Sequence, residues 1–170
     1  RAKHPLTSPP VSEQSTSDWW HAFETSLAQA CTAAGVGTDA IAAISVGAQC
    51  HGLVALDEDF QEIRPVKLWN DTTSAPDVER LLSERPQAEW VREILIPLNP
   101  ALTISKLAWL ARNEPANLLR LRHVMVPHDW LTFCLTGEFV TDRSDASGTG
   151  YYSAQLGRFR PDLLTTHISD

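Results

Sequence analysis

Residues Ala42 to Asp71 read AAISVGAQCHGLVALDEDFQEIRPVKLWND, and the fold is decided inside this stretch. The run that opens it, Ile41 to Val46, is short, apolar and closed by Gly47, which suits a buried strand better than a helix. Gln49-Cys50-His51-Gly52 follows at once. Donors and acceptors therefore collect where a parallel strand of an open α/β sheet ends, which is where such sheets bind ligands. The chain resumes as Leu53 to Leu56, turns through Asp57-Glu58-Asp59, returns from Ile63 to Leu68 and finishes on Trp69-Asn70-Asp71. This pattern predicts a hairpin with polar side chains at both of its mouths.

Upstream, Ser17 or Asp18 can cap a helix over Asp18 to Ala34, with Trp20, Phe23, Leu27, Ala30 and Ala34 at helical spacing and Gly35 as its stop. Trp19 and Trp20 are adjacent and cannot both face the core, so one is expected buried and the other half exposed. Residues 1 to 16 are rich in Pro, Ser and Thr, without helical or strand periodicity, and are expected to run over the surface as an extended lead-in.

Downstream, Thr72 to Arg85 is predicted helical, with Pro76 in its first turn and a stripe of Val78, Leu81 and Leu82. A helix starting there turns its free N–H groups toward Asn70-Asp71, and Asp71 itself suits a cap. Further helices are expected over Gln87 to Ile94, Lys106 to Asn113 (capped by Thr103 or Ser105) and Ala116 to Leu121. The apolar run Val124 to Val126 leads into a helix entered at His128-Asp129 and closed by Gly137. Val140 to Gly150 reads as a small-residue loop, Leu156-Gly157 as a turn, and Pro161 to His167 as a last short helix.

With 43% hydrophobic and 21% charged residues, 170 residues suffice for one domain with a real core. No apolar run approaches the roughly 20 residues that span a bilayer, and no apolar segment follows the basic residues of RAKHPLTSPP, so a membrane and a signal peptide are set aside and a cytoplasmic protein is expected. A formal charge of −7, with scattered basic residues, speaks against a nucleic-acid partner. Cys31, Cys50 and Cys134 lack zinc-ligand spacing and are read as reduced thiols. No G-x-x-x-x-G-K-[ST] loop is present, and Ser147-Gly148-Thr149-Gly150 is too short and common to stand for one.

On spacing alone His51 is the foremost candidate for chemistry, although a lone histidine is more often satisfied by a backbone partner. Asp71, Asp129 and Asp145 each sit where a cap or Asx turn is expected. Lys106 is a cation at a helix start, a place where most lysines are solvated.

The series SVGAQCHGLVALD, RPVKLWND, the Lys-Leu-x-Trp of Lys106 to Trp109, EP, VPHDWLTFCLTGEF and TDRSDASGTG resembles the N-terminal domain of the FGGY carbohydrate kinases, and within them the D-xylulose kinase branch. Six blocks in register, from about Pro5 to Asp170, make the resemblance specific. It implies an α/β, ribonuclease H-like (actin-like ATPase) domain, with residues 1–170 forming a partial sugar-side domain that lacks the family's first hairpin and its C-terminal ATP-side domain. It implies an ATP-dependent kinase of D-xylulose that uses Mg²⁺. It further implies that Gln49, Cys50, His51, Asn70 and Asp71 lie on the sugar side.

Cys50 stands where the family carries Met, and Thr72-Thr73 where an Arg commonly follows the Trp-Asn-Asp block. The family's Asp-x-Gly-Thr hairpin and its proton-accepting carboxylate match no residue here, so no catalytic residue and no metal ligand is assigned to this chain, and alone it is expected to bind neither ATP nor Mg²⁺ and to be silent. L-ribulose, L-xylulose or glycerol are the alternative substrates. A second reading is a non-catalytic sugar-binding domain, expected as a monomer, whereas pairing of an uncovered sheet edge into a homodimer goes with the kinase-fragment reading.

Overall fold

Val54, Ala55 and Leu56 are wholly buried on both faces, and the rest of the molecule is arranged about them. The computed structural model describes residues 6–8 and 10–168. In chain order its strands are β1 (Leu6–Ser8), β2 (Val11–Gln14), β3 (Val54–Leu56), β4 (Val66–Lys67), β5 (His123–Met125), β6 (Tyr152–Ser153) and β7 (Arg158–Phe159). The α-helices are α1 (Thr16–Ala34), α2 (Ala75–Glu84), α3 (Gln87–Ile94), α4 (Thr103–Asn113), α5 (Pro115–Arg120), α6 (Pro127–Thr136), α7 (Arg143–Ser147) and α8 (Pro161–His167).

Successive strand residues point to opposite faces, and β3 uses both. Leu53 and Ala55 enter a cluster with Leu81 of α2, Trp90 and Ile94 of α3 and Leu107 and Leu110 of α4. Val54 and Leu56 face the other way, onto Trp19, Val66, Leu68, Met125 and Trp130. The predicted hairpin is present: Leu53 N donates to Lys67 O at 3.0 Å, Ile63 N donates to Ala55 O at 3.0 Å, and Asp57 forms the turn. On its far side β3 pairs with β5 in antiparallel register, Val54 opposite Met125.

Three expectations about the strands are corrected. Every strand pairing among the described residues is antiparallel, so the end of a parallel strand is not what places the polar loop. Ile41 to Val46 is not a buried strand: residues 41–49 carry no regular structure, and Ile44 is 49% exposed. An apolar run becomes a strand only when another strand supplies its ladder, and β3 already bonds to β4 and β5. Residues 41–46 instead line an open groove of 650 Å³ with Leu27 of α1 and His128 and Thr132 of α6. The lead-in, whose residues 1–5 and 9 lie outside the described residues, contains the β1–β2 hairpin, which pairs through Glu13 and Gln14 onto β4.

Helix bounds depart where a distant side chain does the capping. Helix α1 starts at Thr16 because Glu62, from the hairpin's return arm, accepts from Thr16 N at 2.6 Å, and Ser15 is the N-cap. Trp19 is the buried member of its pair and Trp20 the half-buried one. Gly35 and Gly137 stop α1 and α6 in the left-handed conformation, as expected. Helix α4 begins at Thr103 with Leu102 as N-cap, so Thr103 and Ser105 are inside it. The small-residue loop contains α7, capped by Asp142 Oδ1 accepting from Asp145 N at 2.9 Å.

Candidate functional site

The first mouth of the hairpin is built around His51. Gly52 N donates to Cys50 O at 2.8 Å across His51, whose φ is +62°. A bond from residue i+2 to residue i around a positive φ is the strained form of the γ-turn. For a non-glycine residue such a conformation costs about 1 to 3 kcal/mol and persists only where its surroundings impose it.

Here they do so from two sides. Thr103 Oγ1, at the start of α4, donates to His51 O at 3.0 Å. The imidazole lies against Gly148, where a Cβ would stand 2.0 Å from His51 Nδ1. Ile104 N donates to Thr149 O at 2.8 Å and ties these two walls together. Nδ1 is buried without a hydrogen-bond partner, which leaves Nε2 as the nitrogen able to meet a ligand. Burial, with the Lys106 charge beside it, holds the ring below the usual histidine pKa against the pull of Asp145, so it is neutral at physiological pH. Gln49 is half-buried and Cys50 exposed at the same mouth.

The second mouth looks alike in sequence and is different in kind. Asn70 is exposed and Trp69 is 50% exposed. Asp71, next to them, is wholly buried with its carboxylate occupied. Oδ2 accepts from Ser12 N at 2.8 Å, while Oδ1 accepts from Thr73 N at 3.0 Å and from the Thr73 hydroxyl. Lys67 Nζ lies 3.4 Å from both oxygens. Burial works to raise the Asp71 pKa, but the bonds from Thr73 and Ser12 and the Lys67 charge outweigh it and hold the group below the usual carboxylate range. Asp71 thus fastens β2, β4 and the approach to α2. It does not cap α2, whose N-cap is Ser74.

Two lysines lie beneath the mouths. Lys67 is 1% exposed, with Nζ 3.1 Å from Glu13, 2.7 Å from Thr73 Oγ1 and 3.7 Å from the centre of the Trp109 ring. Lys106 is not solvated as its place in the sequence suggests: it is fully buried and donates to Pro100 O at 2.7 Å and Ala101 O at 2.6 Å. Burial pushes its pKa down to about 7, with Asp71 opposing and Lys67 adding to the fall. It feels the Asp71 charge of the second mouth and in turn acts on His51 of the first.

Among the described residues, His128, Asp142 and Asp145 have ligand-type atoms within 4.8 Å of one another. His128 Nδ1 is already 3.2 Å from Asp129. Burial raises both Asp129 and Asp145, and Asp142 raises Asp145 further.

Comparison with known proteins assigns this arrangement to a family. Residues 2–168 match the FGGY family of carbohydrate kinases, N-terminal domain. The chain belongs to that family. The xylulose kinase of Streptomyces rubiginosus is 39% identical over 165 residues, covering 96% of this chain and 34% of the relative. That of Streptomyces coelicolor is 38% identical over the same shares. The chain thus spans about a third of the length of the curated relatives it matches. Among solved structures, the xylulose kinase from Bifidobacterium adolescentis superposes with a TM-score of 0.84 at 35% identity, covering 98% of this chain and 37% of that one. Plasmodium falciparum glycerol kinase superposes at 0.89 with 15% identity, over 100% of this chain and 35% of that one, which shows a shared fold. The fold is accordingly the actin-like, ribonuclease H-like one of the FGGY kinases.

Within this family fold, Gln49, Cys50 and His51 share one loop mouth, Asn70 lies on the rim of the other, and Asp71 is sealed in the interior. Sequence reasoning named Thr103 only as a helix cap and Gly148 only within a rejected phosphate loop, and did not single out Lys67. Asp142-x-x-Asp145, an acidic residue three positions past a capping one, was a readable signal for α7. The burial of Lys67 and the seat at Gly148 depend on contacts far away in sequence and had none.

Proposed function

We propose that this chain forms the sugar-side wall of a xylulose kinase, which phosphorylates D-xylulose to D-xylulose 5-phosphate in xylose catabolism. The observation that carries this reading is the strained γ-turn at His51, which holds a neutral imidazole at a loop mouth, in a chain that is 39% identical over 165 residues to a xylulose kinase. In the reaction the sugar's 5-hydroxyl oxygen forms a bond to the γ-phosphorus of ATP, the bond from that phosphorus to the β–γ bridging oxygen breaks, and the hydroxyl proton passes to a base. His51 and Gln49 exchange hydrogen bonds with the ketose, Cys50 gives it a soft wall, and Asn70 closes the rim. Asp71 holds that wall in place.

ATP and Mg²⁺ supply the phosphoryl group and its charge neutralisation. The described residues do not fit a triphosphate. The ammonium groups of Lys67 and Lys106 are already taken by Glu13, Asp71, Thr73 and two carbonyls, and no glycine-rich phosphate loop is present. Following the family resemblance, the base and the nucleotide contacts are assigned to other parts of the enzyme, and the chain alone is expected to be silent. A cytoplasmic location and edge-to-edge pairing into a homodimer belong to the same reading; no helix among the described residues is long and apolar enough to cross a membrane.

The alternative of another pentulose or polyol is favoured by Cys50, a shorter side chain than the Met that the resemblance leads one to expect, which would leave more room for the substrate. A coupled ADP-release assay on the natural translation product that carries this chain decides between them, using D-xylulose, L-xylulose, L-ribulose and glycerol. Preference for D-xylulose is expected. Turnover of none of the four overturns the proposal, and preference for another one moves the assignment to that substrate.

A further inference from the structure

Gly148 is buried at the end of α7, at φ −81° and ψ −3°, an ordinary right-handed conformation. Any residue adopts it, so the backbone gives no reason for glycine here. Space does. A Cβ on Gly148 would lie 2.0 Å from His51 Nδ1 and 2.1 Å from His51 Cε1, separations that no side chain tolerates without moving the ring. The backbone is not free to move aside, because it is committed to the γ-turn and its carbonyl is held by Thr103, so the ring itself has to swing out. Resting on the sugar-kinase reading above, we infer that Gly148 is a positioning residue: its missing side chain is the seat of the His51 imidazole, and it sets how deeply that ring sits in the sugar pocket.

The seat accounts for the buried Nδ1 without a partner, since this nitrogen is the ring atom nearest the Cβ that Gly148 lacks. Alanine at position 148 expels the imidazole toward solvent and takes away the nitrogen that meets the sugar, without touching whatever binds the nucleotide.

The test uses the natural translation product that carries this chain, with variants Gly148→Ala, His51→Gly and both together. Gly148→Ala is expected to raise KM for D-xylulose at least tenfold with KM for ATP unmoved. It is also expected to move the His51 ring titration, followed by NMR, up toward 6.5 as the ring leaves its buried seat. In the His51→Gly background the same substitution should leave KM for D-xylulose where His51→Gly put it, the non-additivity expected of two groups in contact. A titration and a KM both unchanged by Gly148→Ala overturn the inference, as does a shifted titration with an unmoved sugar KM.

If Gly148→Ala does not fold, recovery of the folded protein on adding His51→Gly supports the seat, and failure to recover overturns it. A parent enzyme that turns over no pentulose sinks the proposed function, whereas the titration still reports on the seat by itself.

Discussion

The two mouths of the central hairpin present similar polar clusters, Gln49-Cys50-His51 and Trp69-Asn70-Asp71, and the structure engages their side chains in opposite ways. At the first, a histidine is held in a strained turn with one nitrogen sealed and the other left over. At the second, an aspartate has both oxygens engaged by Ser12, Thr73 and Lys67 and no exposure at all. On the proposed reading, strain without saturation marks His51 as the residue kept for a ligand, and saturation without exposure marks Asp71 as one kept for the fold. Polarity at the end of a strand is therefore a poor guide until the lone pairs have been counted.

Removing Asp71 should give the largest effect. Asp71→Ala leaves Lys67 buried without that partner and strips acceptors from Ser12 N and Thr73, and breaking a buried pair in this way costs about 3 to 5 kcal/mol. Urea unfolding of the purified variant measures it. A loss below about 1 kcal/mol together with a large rise in sugar KM would invert the division of labour between the mouths.

Lys106, beneath both mouths, gives the next. Its folded pKa of about 7 lies below the unfolded value near 10.4, so between those limits the unfolded chain holds a proton the folded one has released. Stability due to this group therefore rises with pH from about 7 to about 10, by at most roughly 1.4 kcal/mol per pH unit. Lys106→Met abolishes that part of the slope, as unfolding curves at pH 7, 8 and 9 would show. An identical slope in the variant would place the ammonium in water.

His51→Gly separates function from stability. Glycine accepts φ +62° freely, so relief of strain offsets the lost ring packing and stability stays within about 1 kcal/mol of the parent. D-Xylulose affinity, measured by calorimetric titration, should fall at least tenfold. The smallest effect is expected at the exposed rim, where Asn70→Ala should change stability by less than about 0.5 kcal/mol and sugar KM by only a few-fold.

How much of this was legible in the sequence follows from where each feature gets its instructions. The hairpin, α3 and the stops at Gly35 and Gly137 are written locally, in alternation, helical period and glycine, and were read correctly. Ile41 to Val46 has the composition of a strand but no ladder among the described residues, and composition does not report a neighbour. The start of α1 at Thr16 is set by Glu62, and the β1–β2 hairpin by its pairing with β4, both distant in the chain. In the site, the loop Gln49 to His51 was visible as a polar cluster after an apolar run. The sealing of Asp71 and Lys106, and the need for glycine at 148, appear only once the helices pack.

The central claim is that the sugar meets His51 and leaves Asp71 untouched. A crystal structure of the natural translation product with D-xylulose tests it most directly. The account predicts a ketose oxygen within hydrogen-bonding distance of His51 Nε2, with the bonds from Ser12 N and Thr73 N to Asp71 intact. A sugar hydroxyl on the Asp71 carboxylate, with those bonds broken and no contact to His51, would contradict it.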